Sequence, residues 1–223
     1  MTPLQPMRWV AAGLVVFGGL AEWSGCASMG RSTEAGFMYK NLSVASGSAV
    51  AGDGHSVTLR GEPKALAGRG INVGDPLRDA KLAKGDLSLV NIAETSGKVR
   101  IISIVPSIDT TVCEQQTHYL SEKNNGLDKM VQLITVSVDT PFAQGRFARE
   151  AKIGNVTFLS DFRGGEFGRT YGLLVKAPHF LARAVMVVDK QNVIRYLQIT
   201  PELAQLPDLD AAFRFARSLI EKS

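Results

Sequence analysis

Cys113 stands in the stretch Val105-Pro-Ser-Ile-Asp-Thr-Thr-Val-Cys-Glu-Gln-Gln116, and it is one of two cysteines in the sequence. A lone cysteine is ordinarily a small buried hydrophobe, so its neighbours decide whether it packs or reacts. The β-branched run Arg100 to Val105 stops at Pro106, which cannot donate to a sheet ladder and marks a strand end. Chemistry in open α/β sheets gathers beyond the carboxyl ends of strands, and the segment from Pro106 to Cys113 falls there. Thr111-Val-Cys-Glu114 has the Thr-x-x-Glu form of a capping box, which predicts a helix opening at that point with Cys113 in its first turn. Unpaired amides and the positive end of the helix dipole then face the sulfur and favour the thiolate, the nucleophilic form. Thr110 adds a hydroxyl able to bond the sulfur or a bound oxygen. Spacing alone leaves a buried structural cysteine as an equal alternative.

The elements that must position this cysteine alternate. "SVTLRGEPKAL" reads as a hairpin around Gly61-Glu62-Pro63, and "SLVNI", "KVRIISIV" and "VQLITVSVD" read as strands, the last two nearly continuous in β-branched residues. A helix-compatible segment from Val112 to about Lys123 lies between the second and third of these, and "PFAQGRFAREAKI" predicts a helix with Pro141 in its first turn. Then come a strand "VTFLS", a short helix from Glu166 to Tyr171, strands "ARAVMVVD" and "VIRYLQI" around a turn at Lys190 to Asn192, and a closing amphipathic helix from Asp208 to Lys222. Strand and helix alternating twice, then a hairpin and a final helix, is the order of an α/β thioredoxin-like fold with a central mixed sheet flanked by helices and an N-terminal β-hairpin.

Composition narrows the functions. Of 223 residues, 45% are hydrophobic and 21% charged, ordinary for a globular domain, so class must come from local features. The net charge of +4 is spread over scattered Lys and Arg with few aromatics beside them, which argues against a nucleic-acid surface. His55, His118 and His179 with no cysteine pair leave no metal-ligand spacing, and no cofactor motif is complete. Gly68-Arg-Gly70-Ile-Asn-Val-Gly74 misses the GxGxxG spacing and follows no clear strand, so it reads as a flexible loop.

The N-terminus reads as an address. Arg8 precedes the apolar run Trp9 to Ala21, which is within the roughly 7 to 15 residues of a signal-peptide core and short of the roughly 20 that span a bilayer. Ser24-Gly-Cys26 resembles a bacterial lipobox, although Trp23 occupies the place usually held by Leu. The expected organisation is therefore a signal segment over residues 1–25, a Gly/Ser/Ala-rich flexible tether over 26–54 and one domain over 55–223. Lipid attachment at Cys26 would hold the domain at the membrane, in the bacterial cell envelope facing the periplasm or exterior.

"VPSIDTTVC" resembles the peroxidatic motif of the peroxiredoxins, and its Ser-Ile-Asp-Thr-x-Val-Cys wording is similar to the thiol peroxidase subfamily. "PFAQGRF", "SDFR", "EFGRTYG" and "LARAVMVVD" follow in the order of that subfamily. The resemblance covers nearly the whole domain from about Ser56. It implies that the Cys113 thiolate attacks the terminal oxygen of a hydroperoxide and becomes a sulfenic acid. It implies that Thr110 hydrogen-bonds the peroxide and helps hold the sulfur, that Arg183 stabilises the thiolate and the transferring oxygens, and that Pro106 shields the pocket from water. No metal or organic cofactor is expected, and a homodimer is.

Two departures bear on recycling. The subfamily's resolving cysteine would directly follow Arg146-Phe147, where this sequence has Ala148. An arginine expected shortly after the peroxidatic cysteine is replaced by His118, read as a surface or supporting residue. The expectation is a one-cysteine peroxidase whose sulfenic acid is reduced by an external thiol, a small molecule or a thioredoxin-like protein. A non-enzymatic peroxide sensor or redox binding module is the alternative, and a thiol-disulfide oxidoreductase is disfavoured by the lack of Cys-x-x-Cys.

Overall fold

The computed structural model of the protein describes residues 36–94 and 97–221. The expected signal segment, Cys26 and the expected tether up to residue 35 lie outside them. The chain runs through β1 (Ser56–Leu59), β2 (Glu62–Ala67), β3 (Lys81–Ala83), β4 (Leu89–Asn91), β5 (Arg100–Ile104), α1 (Thr111–Glu122), β6 (Gln132–Ser137), α2 (Pro141–Glu150) and β7 (Val156–Ser160). It continues through α3 (Glu166–Thr170), β8 (Leu174–Val175), β9 (Phe180–Leu181), β10 (Ala184–Val188), β11 (Ile194–Ile199) and α4 (Leu209–Glu221).

A seven-stranded mixed sheet in the order β11-β10-β5-β6-β7-β3-β4 forms the centre, with β5, β6 and β7 parallel and the other pairings antiparallel. The α/β architecture with a central mixed sheet agrees with the expectation. All residues of β5 and β10 are buried, as near-continuous apolar runs require when both faces of a sheet are covered. The strand period of two sorts them: Ile102, Ile104 and Met186 enter one core, while Ile101, Val185 and Val187 enter the other with Phe213 of α4. Two polar residues are buried in β5, Arg100 at its start and Ser103, the latter on the face that α1 covers.

Helix starts follow local chemistry. At α2 the Thr140 side chain accepts from Ala143 N, and Pro141 occupies the first turn, where its missing N–H costs nothing. The N-terminal hairpin forms, but its turn is Arg60-Gly61, not Gly61-Glu62-Pro63. Arg60 and Gly61 take φ values of 53° and 83°, as a two-residue primed turn demands, and Glu62 and Pro63 already belong to β2. β3, β8 and β9 were not expected; they are two or three residues long, too short to show a period.

Residues 37–54, expected as part of a flexible tether, lie against the domain. Ala45 N donates to Leu206 O at 2.8 Å, Ala49 N to Ile199 O at 2.8 Å, and Gly52 N to Gly172 O at 2.9 Å. Main-chain bonds of this kind leave no apolar periodicity to read, and small residues are what allow the approach. A Cβ on Gly172 would stand 2.6 Å from Gly52 N. The loop from Gly68 to Gly74 is a loop, as expected, yet it is tied by Arg69 N donating to Arg169 O at 2.9 Å.

Candidate active site

The loop after β5 carries Pro106 to Thr110 and delivers the chain into α1. It is braced from the carboxyl end of the adjacent parallel strand β6: Asp139 accepts from Ser107 Oγ at 2.7 Å and from Ile108 N at 2.8 Å. The expected capping box does not form. Thr111 is already helical, so the N-cap is Thr110, in extended conformation and without a side-chain cap. Its hydroxyl turns back and donates to Ser107 O at 3.2 Å. The Thr110 carbonyl accepts the first helical bond, from Glu114 N at 2.8 Å, leaving the N–H groups of Thr111, Val112 and Cys113 without intrahelical acceptors. Cys113 is thus in the first turn, as expected, with the helix dipole at its back.

Cys113 is fully buried and free. Arg183, at the entry of β10 and 2% exposed, meets it with one donor and is anchored beside it by two others. Nη2 donates to Cys113 Sγ at 3.2 Å, Nη1 to Gln116 Oε1 at 2.7 Å, and Nε to Leu203 O at 2.9 Å. Gln116 is itself held by Nε2 donating to Ser103 Oγ at 2.8 Å, which gives the buried Ser103 its partner. Among the described residues no Asp or Glu pairs with Arg183. A buried guanidinium is costly without an anion beside it; beyond Gln116 and the Leu203 carbonyl, what it meets is the Cys113 sulfur.

The N-terminal side of α1 opens on a cleft of about 1020 Å³ walled by Pro106, Thr110, Val112, Phe180, Arg183 and Leu203. Of the residues expected to act, Cys113 and Arg183 are in direct contact and Thr110 and Pro106 line the same cleft. Thr110 makes no hydrogen bond to Sγ; with its proton committed to Ser107 O, its oxygen is left as an acceptor. Gln116 and the Leu203 carbonyl were not anticipated. Gln116 was findable, since positions i and i+3 share a helix face with Cys113; nothing local marks a main-chain carbonyl of another loop.

The opposite flank of α1 has a different character. His118 is buried, so of its two expected placements, surface or supporting, the surface one does not hold. Its ring stacks on Phe37 with centroids 3.9 Å apart, meets Phe147 edge-on, and places Nδ1 2.7 Å from Glu122 Oε1. Lys40 and Gln115 exchange two bonds, Lys40 N donating to Oε1 at 2.7 Å and Nε2 donating to Lys40 O at 2.9 Å. Burial alone would raise the Glu122 carboxyl, but the bonds from His118 and Tyr39 and the charges of His118 and Lys123 hold it below its usual range.

Comparison with known proteins places these features in context. The family described as Redoxin matches residues 72–213. A thiol peroxidase of Streptococcus sanguinis is 41% identical over 162 residues, covering 73% of this chain and 99% of the relative. One from Halalkalibacterium halodurans is 39% identical over 165 residues, with 74% and 99% covered. Among solved structures, a peroxiredoxin-like protein from Aquifex aeolicus superposes with a TM-score of 0.69 at 36% identity, covering 74% of this chain and 96% of its own. A thiol peroxidase from Chromobacterium violaceum gives a TM-score of 0.65 at 23% identity, a likeness of fold, with 75% and 98% covered.

Proposed function

Since the chain belongs to the redoxin family, as a peroxiredoxin of the thiol peroxidase group, we propose that it is a thiol-dependent peroxidase of one-cysteine type, with Cys113 as nucleophile. The observation that carries this reading is the Arg183 guanidinium 3.2 Å from Cys113 Sγ. The Cys113 thiolate attacks the terminal oxygen of a hydrogen peroxide or organic hydroperoxide held in the cleft. A sulfur–oxygen bond forms, the oxygen–oxygen bond breaks, and the leaving oxygen departs with a proton as water or alcohol. Sulfur is oxidised to the sulfenic acid as the peroxide is reduced. Negative charge moves from sulfur onto the two oxygens during attack. Arg183 and the free amides of the first turn of α1 are fixed donors beside that path, set before reaction, with the Cys113 and Arg183 side chains buried. The Thr110 oxygen accepts from the peroxide O–H and aligns it, and Pro106 contributes a wall with no N–H to attract water.

Recycling is external in this reading. Ala148 follows Arg146-Phe147, and Cys26 is the only other cysteine of the sequence. An external thiol condenses with the sulfenic acid, releasing water and leaving a mixed disulfide; a second thiol then restores Cys113. In the purified protein, peroxide without added thiol should place one oxygen on Cys113, seen by mass spectrometry, and added thiol should give continuous turnover. One stoichiometric oxidation with no turnover under any thiol would favour the sensor reading instead.

The same proposal extends to the cell. The apolar run Trp9 to Ala21 and Ser24-Gly-Cys26 support a signal segment, lipid attachment at Cys26 and a place in the cell envelope; replacing Cys26 with Ala should release the protein from the membrane fraction. A homodimer is the state the resemblance implies, and sedimentation at micromolar concentration tests it.

A further inference from the structure

The segment after β11, Thr200 to Ala204, holds Arg183 at its main chain and at its side chain. Thr200 N and Oγ1 donate to the Arg183 carbonyl at 2.9 and 3.3 Å, and the Leu203 carbonyl accepts from Arg183 Nε at 2.9 Å. This segment belongs to no strand of the sheets but forms an isolated parallel bridge with β1: Thr58 N donates to Pro201 O at 2.7 Å and Leu203 N to Thr58 O at 2.8 Å. At the centre of the junction lies one side chain, Glu202. Its Oε1 accepts from Arg60 N and Ala204 N, both at 2.9 Å, and its Oε2 from Gly61 N at 3.0 Å and Thr58 Oγ1 at 2.8 Å. Arg60 and Gly61 are the residues of the primed turn, whose two central amides have no strand acceptor; a single carboxylate satisfies both. The elements it joins contribute Leu59, Arg60, Leu203 and Ala204 to the cleft wall.

We propose that Glu202 is a positioning residue: by clasping the Arg60-Gly61 turn to the Pro201–Ala204 segment it fixes the Leu203 carbonyl, and through it the angle at which Arg183 meets Cys113 and the peroxide. The proposal rests on the assignment of Cys113 and Arg183 made above. Its chemistry is specific to a carboxylate. An amide at this position would turn its NH2 group toward at least one backbone N–H, Gly61 N in one rotamer or Arg60 N and Ala204 N in the other, so no rotamer satisfies all four groups.

The test is a double-mutant cycle on the full-length protein, following Cys113 oxidation by hydrogen peroxide in single turnover. Glu202→Gln should slow oxidation roughly tenfold, the scale of a lost bond to a charged group, and should reduce the ultraviolet absorbance of the Cys113 thiolate at neutral pH. In an Arg183→Met background the same change should alter the rate less than about twofold, because the residue it orients is gone. Thr58→Val removes one donor to the carboxylate without a change of charge and should give a smaller loss in the same direction. It also decides the matter if Glu202→Gln does not fold. Wild-type rate and absorbance in Glu202→Gln and Thr58→Val, or equal losses with and without Arg183, would overturn the proposal. An Arg183→Met variant as fast as wild type would instead overturn the assignment of the site.

Discussion

The two flanks of α1 put similar residue types to opposite use. At the N-terminal turn a buried cation, Arg183, meets an amide, a carbonyl and a sulfur but no carboxylate. On the other flank His118 has Glu122 and Glu122 has Tyr39, with Phe37 and Phe147 packed around the ring. One charge is left to be completed by a reacting group; the other is completed within the fold. Of the two positions where the thiol peroxidase pattern has a reactive or charged group, the nearby arginine is here His118, on this second flank, and the resolving cysteine is Ala148, in α2.

This contrast predicts how variants divide. Arg183→Met should reduce the rate of Cys113 oxidation by about 10²- to 10³-fold, the usual cost of removing one preorganised donor from developing charge, with stopped-flow as the measurement. Gln116→Ala should lower the same rate roughly tenfold, since Arg183 loses the acceptor for Nη1 and Ser103 its partner. His118→Ala should leave that rate within about twofold of wild type while lowering the unfolding free energy by about 1 kcal/mol, the worth of a buried aromatic pair, read from denaturant titration. A rate loss from His118→Ala as large as that from Gln116→Ala would break the division between the flanks.

The smallest effect is one of pH. Burial alone would raise the Glu202 carboxyl, but the N–H groups of Gly61, Ala204 and Arg60 and the Thr58 hydroxyl hold it down at about 2. A depressed folded-state value means that the clasp stabilises the protein above the ordinary glutamate range, near 4.3, and that this stability is lost as pH falls from there toward about 2. Glu202→Gln should flatten the fall in melting temperature over that window; an unchanged acid profile would contradict it.

Much of the fold was legible because its signals are local and long. The apolar runs of β5, β6 and β10 exceed what a half-exposed strand carries, and the Pro141 start of α2 and the amphipathic pattern of α4 each follow from neighbouring residues. Cys113 was legible as a first-turn residue even though the Thr111–Glu114 capping box was the wrong device: the helix opens one residue earlier, and the Thr110 hydroxyl is spent on the loop behind it. Arg183 lies 70 residues from Cys113 and was legible only through the ordered family motifs. What could not be read is carried by main-chain groups. The Leu203 carbonyl, the amides Glu202 gathers, and the bonds that lay residues 37–54 on the domain are made by backbone atoms, which leave no side-chain pattern in the sequence. The burial of His118 was not legible for a related reason, because the Phe37 that covers it belongs to a segment with no periodic signal of its own.

The central claim is that the Arg183 and helix-turn donors make Cys113 a peroxide nucleophile. The most direct measurement is the second-order rate constant for oxidation of Cys113 by hydrogen peroxide in the purified protein, compared at the same pH with that of free cysteine thiolate. Fixed donors on this scale predict a rate at least about 10²-fold above the free thiolate. A rate equal to that of the free thiolate would contradict the account.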